Sequence, residues 1–279
     1  MPDRAQGKIA SVAEVIDIDD PADPRVDGFR DLKSADRRPD LPGREGLVIA
    51  EGVVVVQRML TSRFTPFGLF GVARRYEELA ADLEGTDVPY YRTTAEVMAE
   101  VVGFHLNRGV LAAARRPPEP NLDEVLESAR TVVVLEGVND HENIGSIFRN
   151  AAGLGADAVL FGDRCADPLY RRAVRVSMGH VLRVPFARLP EWPGSLESLR
   201  ERGFQIIALT PNPSAATLSA AMTGERVALL LGAEGPGLTE EAMSATDIRA
   251  RIPMTPGTDS LNVATAAAMA FYERVRCTS

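Results

Sequence analysis

The second half of the chain alternates short apolar runs with longer amphipathic stretches. Thr131–Leu135 and Val227–Leu231 have the composition of buried parallel strands. Helical patterns follow such runs, as over Asn143–Leu154, which a glycine would end, and over Ser260–Val275, which is rich in alanine. Strand and helix therefore alternate, and we predict an α/β domain with a parallel sheet over residues 131–279.

The remaining elements of this domain follow the same alternation. The pattern predicts further strands over Ala158–Phe161, Val181–Phe186, Gln205–Leu209 and Arg249–Pro253. It predicts further helices over Pro168–Val176, Leu196–Arg202 and Thr239–Ser244, the last with Thr239 as its N-cap.

The first 116 residues alternate less cleanly, and we predict a small separate α/β domain over residues 1–116. Its expected strands are Ile9–Ile16, Leu69–Val72 and Val110–Ala114, and Leu47–Ala50 leads into a helix. Its expected helices are Asp27–Ala35, Gly52–Leu60 and Arg75–Leu83. A run rich in arginine and proline from Arg115 to Asn121 disfavours regular structure, so we predict a linker over residues 117–130.

Composition agrees with two globular domains and narrows the chemistry. The 279 residues are 45% hydrophobic and 25% charged, which suits a globular protein with two real cores. Two cysteines and three histidines are too scattered for a metal site or a disulfide framework. No apolar run approaches the ~20 residues of a membrane span, so we expect a cytoplasmic protein that binds no metal and no membrane. No lysine lies beyond Lys33, which excludes a P-loop.

The overall charge argues against a nucleic-acid partner. The net charge is −8, and acidic residues outnumber basic ones by 19 to 16 over residues 1–116 and by 20 to 15 over residues 117–279. Local patches, however, decide phosphate affinity more than the total charge does. Between Pro168 and Arg188 there is no acidic residue, and the arginines there are Arg171, Arg172, Arg175, Arg183 and Arg188. A second, diluted cluster comprises Arg30, Lys33, Arg37 and Arg38.

Two motifs follow predicted strands of the second domain. Asn143 opens a helix after the first strand and Arg149 lies six residues further on, a place where α/β folds bind ligands. A plain N-cap and a surface arginine would explain these two residues equally well. Gly232–Gly237 has three glycines in six residues around Glu234, which permits close backbone approach to a ligand.

A third motif precedes the last helix. A predicted strand ends near Ile252 and Met254, a loop turns, and the helix begins with Asp259 or Ser260 as its expected cap. Tight packing of this alanine-rich helix explains its composition. It leaves unexplained the polar pair Ser260 and Asn262 on either side of Leu261.

Together the three motifs resemble those of the SpoU class of the SPOUT RNA methyltransferases: N-x5-R after the first strand, then GxEGxG, then IPM followed by SLNVA. The resemblance covers residues 130–276. It implies an α/β fold whose parallel sheet contains a deep trefoil knot, contrary to the general rule that chains are unknotted. It also implies a homodimer formed through the knotted domain, and a substrate-recognition role for residues 1–116, similar to certain ribosomal proteins.

The resemblance further implies a cofactor and a reaction. The knotted loops would bind S-adenosylmethionine through Leu209, Gly232, Ile252, Met254 and Leu261, since apolar side chains suit an adenine ring. The methyl group would go to a ribose 2′-hydroxyl of tRNA or rRNA, bound in part by Arg171, Arg172, Arg175 and Arg183.

The family assigns the central catalytic role to the residue that corresponds to Arg149. Arginine has a pKa above ~12 and is a poor base. We therefore expect its planar guanidinium to bind the adjacent phosphate, which relays the proton. Asn143, Ser260 and Asn262 would orient the ribose and Arg149, and Glu234 would anchor that network. No metal is required.

Two other interpretations remain open. A non-catalytic RNA-binding or ribosome-associated protein would use mainly the first domain, and would bind RNA without methyl transfer. A dinucleotide-dependent α/β enzyme would need a phosphate-binding turn, and Gly232–Gly237 fits the GxGxxG pattern poorly.

Overall fold

The computed structural model describes residues 13–32, 46–255 and 257–278. The chain divides into two compact units, Met1–Pro117 and Pro118–Ser279. Each unit has its own β-sheet. The division falls within the arginine- and proline-rich run in which the sequence predicts a break.

The first unit has a five-stranded mixed sheet. Its strands are β1 (Val15–Asp17), β2 (Leu47–Glu51), β3 (Pro66–Val72), β4 (Tyr90–Thr93) and β5 (Val110–Arg115). Its helices are α1 (Val53–Leu60), α2 (Ala73–Leu83) and α3 (Ala95–Val102), and Pro24–Phe29 is a 3-10 helix. The strand order is β1-β4-β3-β5-β2, in which β5 is antiparallel to both of its neighbours and the other pairs are parallel.

The core of the first unit is built on aromatic contacts. The rings of Phe29 and Phe70 lie 5.4 Å apart. Tyr90 is fully buried and donates its hydroxyl proton to the carbonyl of Val72 at 2.9 Å. Burial raises the pKa of the Tyr90 phenol well above its usual value.

Several sequence predictions for this unit need correction. The sequence pattern did not predict β4 or α3. The four residues of β4 carry too few apolar positions to show a period. The predicted strand Ile9–Ile16 begins only at Val15 among the described residues, and residues 9–12 lie outside them. Of the predicted helix Asp27–Ala35, residues 27–29 belong to the 3-10 helix Pro24–Phe29, where Gly28 disfavours an α-helix, and residues 33–35 lie outside the described residues. Lys33, Arg37 and Arg38 lie outside the described residues.

The second unit has a seven-stranded sheet in which every neighbouring pair of strands is parallel. Its strands are β6 (Thr131–Glu136), β7 (Ala158–Phe161), β8 (Phe186–Arg188), β9 (Phe204–Leu209), β10 (Ala216–Thr217), β11 (Arg226–Gly232) and β12 (Ile248–Arg251). Its helices are α4 (Leu122–Leu126), α5 (His141–Leu154), α6 (Arg171–Val176), α7 (Ser195–Glu201), α8 (Leu218–Ala221), α9 (Glu240–Ser244) and α10 (Val263–Thr278). The strand order is β10-β12-β9-β11-β6-β7-β8.

The predicted parallel α/β domain is confirmed. The sequence pattern did not predict β10 or α8, and the predictions for residues 181–186 and for the linker need correction. Val181 and Leu182 are buried in a 3-10 turn that follows Gly179, whose φ of +83° turns the chain, so β8 begins only at Phe186. Residues 117–130 are not a simple linker. They contain α4, and the apolar side chains of Leu126 and Ala129 are buried in the core, which draws this segment into the second unit.

The sheet brings four strand ends together at one edge. β12, β9, β11 and β6 are parallel neighbours, so their carboxyl ends lie side by side. The chain builds β7 and β8 on one side of β6 and then crosses to β9 on the other, so the strand order reverses beside β6. Open parallel sheets bind ligands outside the carboxyl ends of their strands at such a switch point.

The last helix is fixed against the rest of the second unit at both ends. Near its start, the Nδ2 of Asn150 on α5 donates to the carbonyl of Ala264 at 3.0 Å. Near its end, the buried guanidinium of Arg274 donates to Thr131 Oγ1 at 3.1 Å and to the carbonyls of Gly224 and Glu225 at 2.8 and 2.5 Å. Burial lowers the pKa of Arg274, because the loss of hydration disfavours its charged form.

We expect Arg274→Met to lower the free energy of unfolding by about 2–3 kcal/mol, because two partly buried carbonyls and Thr131 Oγ1 lose their hydrogen-bond donor. The matched control is Arg276→Met, which removes only an ion pair with Glu273 on the same helix and should leave stability unchanged within error. Urea unfolding followed by circular dichroism measures both. Equal stability of the two variants would contradict the anchoring role of Arg274.

Candidate active site

A cleft of about 250 Å³ lies at the carboxyl edge of the parallel sheet. Leu209 ends β9, Gly232 ends β11 and Ile252 follows β12, so three neighbouring strand ends line it. The segment between β12 and α10 adds Met254, Ser260 and Leu261. All five residues predicted to contact a cofactor therefore line one cleft, and most of that lining is apolar side chain or backbone.

The turn after β11 requires glycine at its first position. A Cβ on Gly232 would lie 2.2 Å from the carbonyl carbon of Gly237 and 2.2 Å from the nitrogen of Leu238, closer than any side chain tolerates. Gly235 and Gly237 have φ values of +87° and +73°, which L side chains rarely adopt. This turn brings Glu234 to the cleft.

Three polar side chains from distant segments meet beside the cleft. Glu234 Oε1 accepts a hydrogen bond from Asn143 Nδ2 at 3.1 Å and another from Asn262 Nδ2 at 2.6 Å. Asn262 Nδ2 also lies 2.8 Å from Asn143 Oδ1. Three of the predicted catalytic residues therefore form one network, which connects α5, the turn after β11 and the start of α10.

The helix caps differ from those predicted. Asp140, not Asn143, caps α5, since its Oδ1 accepts from the backbone nitrogens of Glu142 and Asn143 at 2.5 and 3.2 Å. Asn262 caps α10 in place of Asp259 or Ser260. Its Oδ1 accepts hydrogen bonds from the backbone nitrogens of Ala264 and Thr265. The Asn143 side chain is thereby left for the network, while Asn262 both caps α10 and binds Glu234.

Arg149 and Ser260 lie outside this network. Ser260 is exposed and lines the cleft. Arg149 is exposed on α5 and makes no ion pair with any residue in the described part of the chain. Arg149 lies seven positions after Glu142, so the two share one face of α5, and Arg149 projects about 120° away from Asn143.

The predicted basic strip is partly neutralised by acids from elsewhere in the chain. Arg172 donates its Nε proton to Glu142 Oε1 at 2.9 Å, and Arg188 pairs with Glu119 at 3.2 Å. The local sequence contains no acid, but the fold supplies one from α5 and one from the segment before α4. Arg171 and Arg175, four residues apart, share one face of α6, and Arg183 is exposed after the next turn.

Other kinds of chemistry find no support among residues 13–32, 46–255 and 257–278. No three His, Cys, Asp or Glu side chains there are placed to hold a metal ion, and no helix there is long and apolar enough to cross a membrane. The Cys165 thiol donates to the carbonyl of Leu135 at 3.2 Å. Burial raises the pKa of this thiol, so it stays protonated at neutral pH.

Sequence reasoning missed several residues that line the cleft. Thr210 and Pro211 directly follow β9, and extending the predicted strand end by two positions would have found them. Leu238, Met243, Val263 and Ala266 also line it, and no local pattern separates them from ordinary core residues. Asp140 carried a usable signal, because an aspartate before a helical pattern is a common N-cap.

The fold and the site define an α/β protein with a small-molecule cleft at the switch point of a parallel sheet. Residues 130–272 match the SpoU rRNA methylase family. The chain is also 66% identical over 266 residues to an uncharacterized tRNA/rRNA methyltransferase of Mycobacterium tuberculosis, an alignment that covers 94% of this chain and 92% of the relative. The chain therefore belongs to the SpoU rRNA methylase family.

More distant relatives extend the comparison. The chain is 29% identical to the 23S rRNA (guanosine-2'-O-)-methyltransferase RlmB of Vibrio vulnificus, over 70% of this chain and 81% of the relative. The crystal structure of an AdoMet-bound rRNA methyltransferase from Sinorhizobium meliloti matches with a TM-score of 0.76 at 24% identity, over 94% of this chain and 98% of that chain. This likeness confirms the α/β fold.

We expect Gly232→Ala to lower the free energy of unfolding by about 1–3 kcal/mol, the usual cost of overpacking, because the new methyl group would overlap backbone atoms. Gly153→Ala is the control, since a Cβ there on α5 meets nothing within 4 Å and alanine favours a helix. Chemical unfolding of both variants is the measurement. A Gly232→Ala protein as stable as the control would show that the turn does not need glycine.

Proposed function

We propose that the protein is an S-adenosylmethionine-dependent methyltransferase that acts on a ribose 2′-hydroxyl of tRNA or rRNA. The observation that carries the proposal is the meeting of Asn143, Glu234 and Asn262 beside an apolar cleft at the switch point. Membership in the SpoU rRNA methylase family supports it, as does the relative named for guanosine 2'-O-methylation.

The cleft has the apolar surface and the backbone hydrogen-bonding groups that this cofactor needs. Leu209, Ile252 and Leu261 offer apolar surface to an adenine ring, and the adjoining strand ends offer backbone N–H and C=O groups to its edge. The missing side chain at Gly232 lets backbone approach closely. When bound, S-adenosylmethionine supplies a methyl group already activated by the sulfonium, so the chain's own task is to orient the acceptor.

The polar network is suited to holding a ribose. Glu234 Oε1 is occupied by two amide groups, which fixes the orientation of the carboxylate. Its Oε2 makes no hydrogen bond with the described residues and is available to accept one from a ribose hydroxyl. Ser260, exposed at the cleft, offers a hydroxyl that donates or accepts.

Arg149 is proposed to bind the phosphate next to the target ribose. Its guanidinium is too weak a base to take the hydroxyl proton, but its planar fork suits a phosphate oxygen pair. The bound phosphate would then accept the proton. The position of Arg149 on the Glu142 face of α5, the side to which Arg172 binds, places it toward the arginines of α6.

We expect Arg149→Ala to lower methyl transfer at least about 100-fold while the Kd for S-adenosylmethionine changes less than about twofold, since the residue acts on RNA rather than on the cofactor. Arg130→Ala is the control, because Arg130 directly precedes β6, at the end of the strand opposite to the cleft. Its only ion pair among the described residues is an exposed one with Glu225 at 3.8 Å. Transfer of radiolabelled methyl to RNA and calorimetric cofactor binding are the measurements. Unchanged turnover in Arg149→Ala would remove the role assigned to it.

The substrate is identified by mapping 2′-O-methyl nucleotides by mass spectrometry in tRNA and rRNA from cells with and without the protein. A site that disappears with the protein and is restored by the purified enzyme supports the proposal. Binding of RNA without any transfer would favour the non-catalytic alternative instead. The tRNA or rRNA substrate also assigns the reaction to the cytoplasm.

We propose that Arg171, Arg172, Arg175 and Arg183 contact the RNA backbone, and that the first unit adds further RNA contacts. Because Arg172 is already paired with Glu142, the strip carries less free positive charge than its sequence suggests. Binding should therefore be modest and sensitive to salt. The likeness to the rRNA methyltransferase from S. meliloti covers 94% of this chain and so includes residues of both units.

We further propose that the protein is a homodimer through the second unit, and that this unit contains the trefoil knot of its family. The exposed large apolar residues of α10 support the dimer, since Met269, Tyr272 and Val275 are 43%, 60% and 40% exposed at helical spacing. β12 lies inside the sheet between β10 and β9, and the chain returns from it to α10 against α5, which agrees with a threaded C-terminal segment.

We expect the double variant Met269→Glu and Tyr272→Glu to be a monomer, because a twofold interface would place like charges against each other. Val54→Glu is the control, since Val54 is equally exposed, at 43%, but belongs to the first unit. Sedimentation velocity at several concentrations gives the mass of each. A double variant that sediments as the native protein does would rule out α10 as the interface.

A further inference from the structure

Glu136 is a buried carboxylate at the carboxyl edge of the sheet. It is the last residue of β6 and is only 1% exposed. Its neighbour across the strand pair is Gly232, the first residue of the turn that carries Glu234. A carboxylate at such a position costs free energy unless hydrogen bonds compensate for its lost hydration.

Three donors meet the Glu136 carboxylate. Oε1 accepts from the indole Nε1 of Trp192 at 2.6 Å and from Thr239 Oγ1 at 2.8 Å, and Oε2 accepts from the backbone nitrogen of Thr239 at 2.8 Å. Thr239 caps α9 and directly follows the residues 232–238 of the turn. Glu136 therefore contacts both ends of that turn, one through the sheet and one through its side chain.

We propose that Glu136 is a positioning residue for the cleft. It holds the turn over residues 232–238 in the shape that binds the cofactor and that presents Glu234 to Asn143 and Asn262. The chain closes this turn tightly, with Gly237 N donating to the carbonyl of Ala233 at 3.0 Å. Fixing both ends of so short a loop fixes its interior. The inference rests on the proposed function for the identity of the ligand.

A glutamine cannot replace this carboxylate without conflict. Oriented with its oxygen toward the Thr239 nitrogen, a glutamine at 136 would place its amide NH2 where Oε1 now lies. That group can donate to Thr239 Oγ1, but it would face the N–H of Trp192, a donor against a donor. The opposite orientation sets the amide NH2 against the Thr239 N–H. Either way one buried donor is left unsatisfied.

Trp192 makes the arrangement observable. It is the only tryptophan of the chain, and its ring packs on Gly162, where an added Cβ would lie 2.6 Å from the indole. Its emission therefore reports on the environment of Glu136. The same geometry predicts a rescue, because Trp192→Phe removes the one N–H that the glutamine amide would oppose.

The test uses the full-length protein and S-adenosylmethionine itself. We expect Glu136→Gln to raise the Kd about tenfold, the effect of one unsatisfied buried donor, to raise the KM for the cofactor more than it lowers kcat, and to shift the emission of Trp192. The double variant Glu136→Gln with Trp192→Phe should return the Kd to within about threefold of the native value.

Asp157→Asn is the matched control. Asp157 Oδ2 accepts from the backbone nitrogens of Arg130 and Thr131 at the opposite end of the same strand, and an asparagine oxygen can do the same. This variant also loses one negative charge, yet its Kd should stay native. If Glu136→Gln fails to fold, the double variant and the control still answer the question. They distinguish a clash between the glutamine amide and the Trp192 N–H from a general effect of losing one negative charge.

The outcomes separate the two proposals. A native protein that binds no S-adenosylmethionine contradicts the proposed function. The Trp192 emission still reports on the hydrogen bond between Trp192 and Glu136. A native protein that binds it, together with Glu136→Gln binding equally well, overturns the positioning role alone. A double variant no better than the single one also overturns the arrangement described for Glu136.

Discussion

One oxygen of Glu234 accepts hydrogen bonds from the amides of Asn143 and Asn262, and this convergence organises the site. The three residues come from segments 91 and 28 positions apart in the chain. Their meeting requires that α5, the turn after β11 and the start of α10 reach the same edge of the sheet. The parallel sheet meets this requirement, because the carboxyl ends of its neighbouring strands β12, β9, β11 and β6 lie side by side at one edge. Glycine at position 232 then lets the turn close over the strand end.

The basic patch that the sequence indicates is weaker in the folded protein. Acidic residues outnumber basic ones in both halves of the sequence, and the arginine-rich stretch before β8 suggests a compensating patch. Folding weakens that patch, since Glu142 and Glu119 arrive from other segments to pair with Arg172 and Arg188. Local charge counts overlook such partners because an ion pair depends on distance in space, not in sequence.

Prediction from sequence succeeded where the local signal was strong. β6 and β11 are almost wholly apolar, so they were placed within one or two residues. It failed where two local solutions compete. Asn143 and Asp140 are both good caps, and so are Ser260 and Asn262. Asp140 caps α5 while Asn143 binds Glu234, whereas Asn262 both caps α10 and binds Glu234, and no local pattern specifies either choice. Val181 and Leu182 have strand-like composition, yet the left-handed turn at Gly179 directs them into a 3-10 helix.

The sequence by itself determined the fold class and the order of the three motifs, because each of these depends on neighbours within a few positions. The family resemblance of those motifs supplied five of the residues that line the cleft. Only the tertiary structure decided how those residues act together. It assigned the caps, joined Asn143, Glu234 and Asn262 in one network, and brought Trp192 and Thr239 to the buried Glu136 from 56 and 103 residues away. A buried carboxylate must find donors wherever the packed chain provides them, and no local pattern specifies that choice.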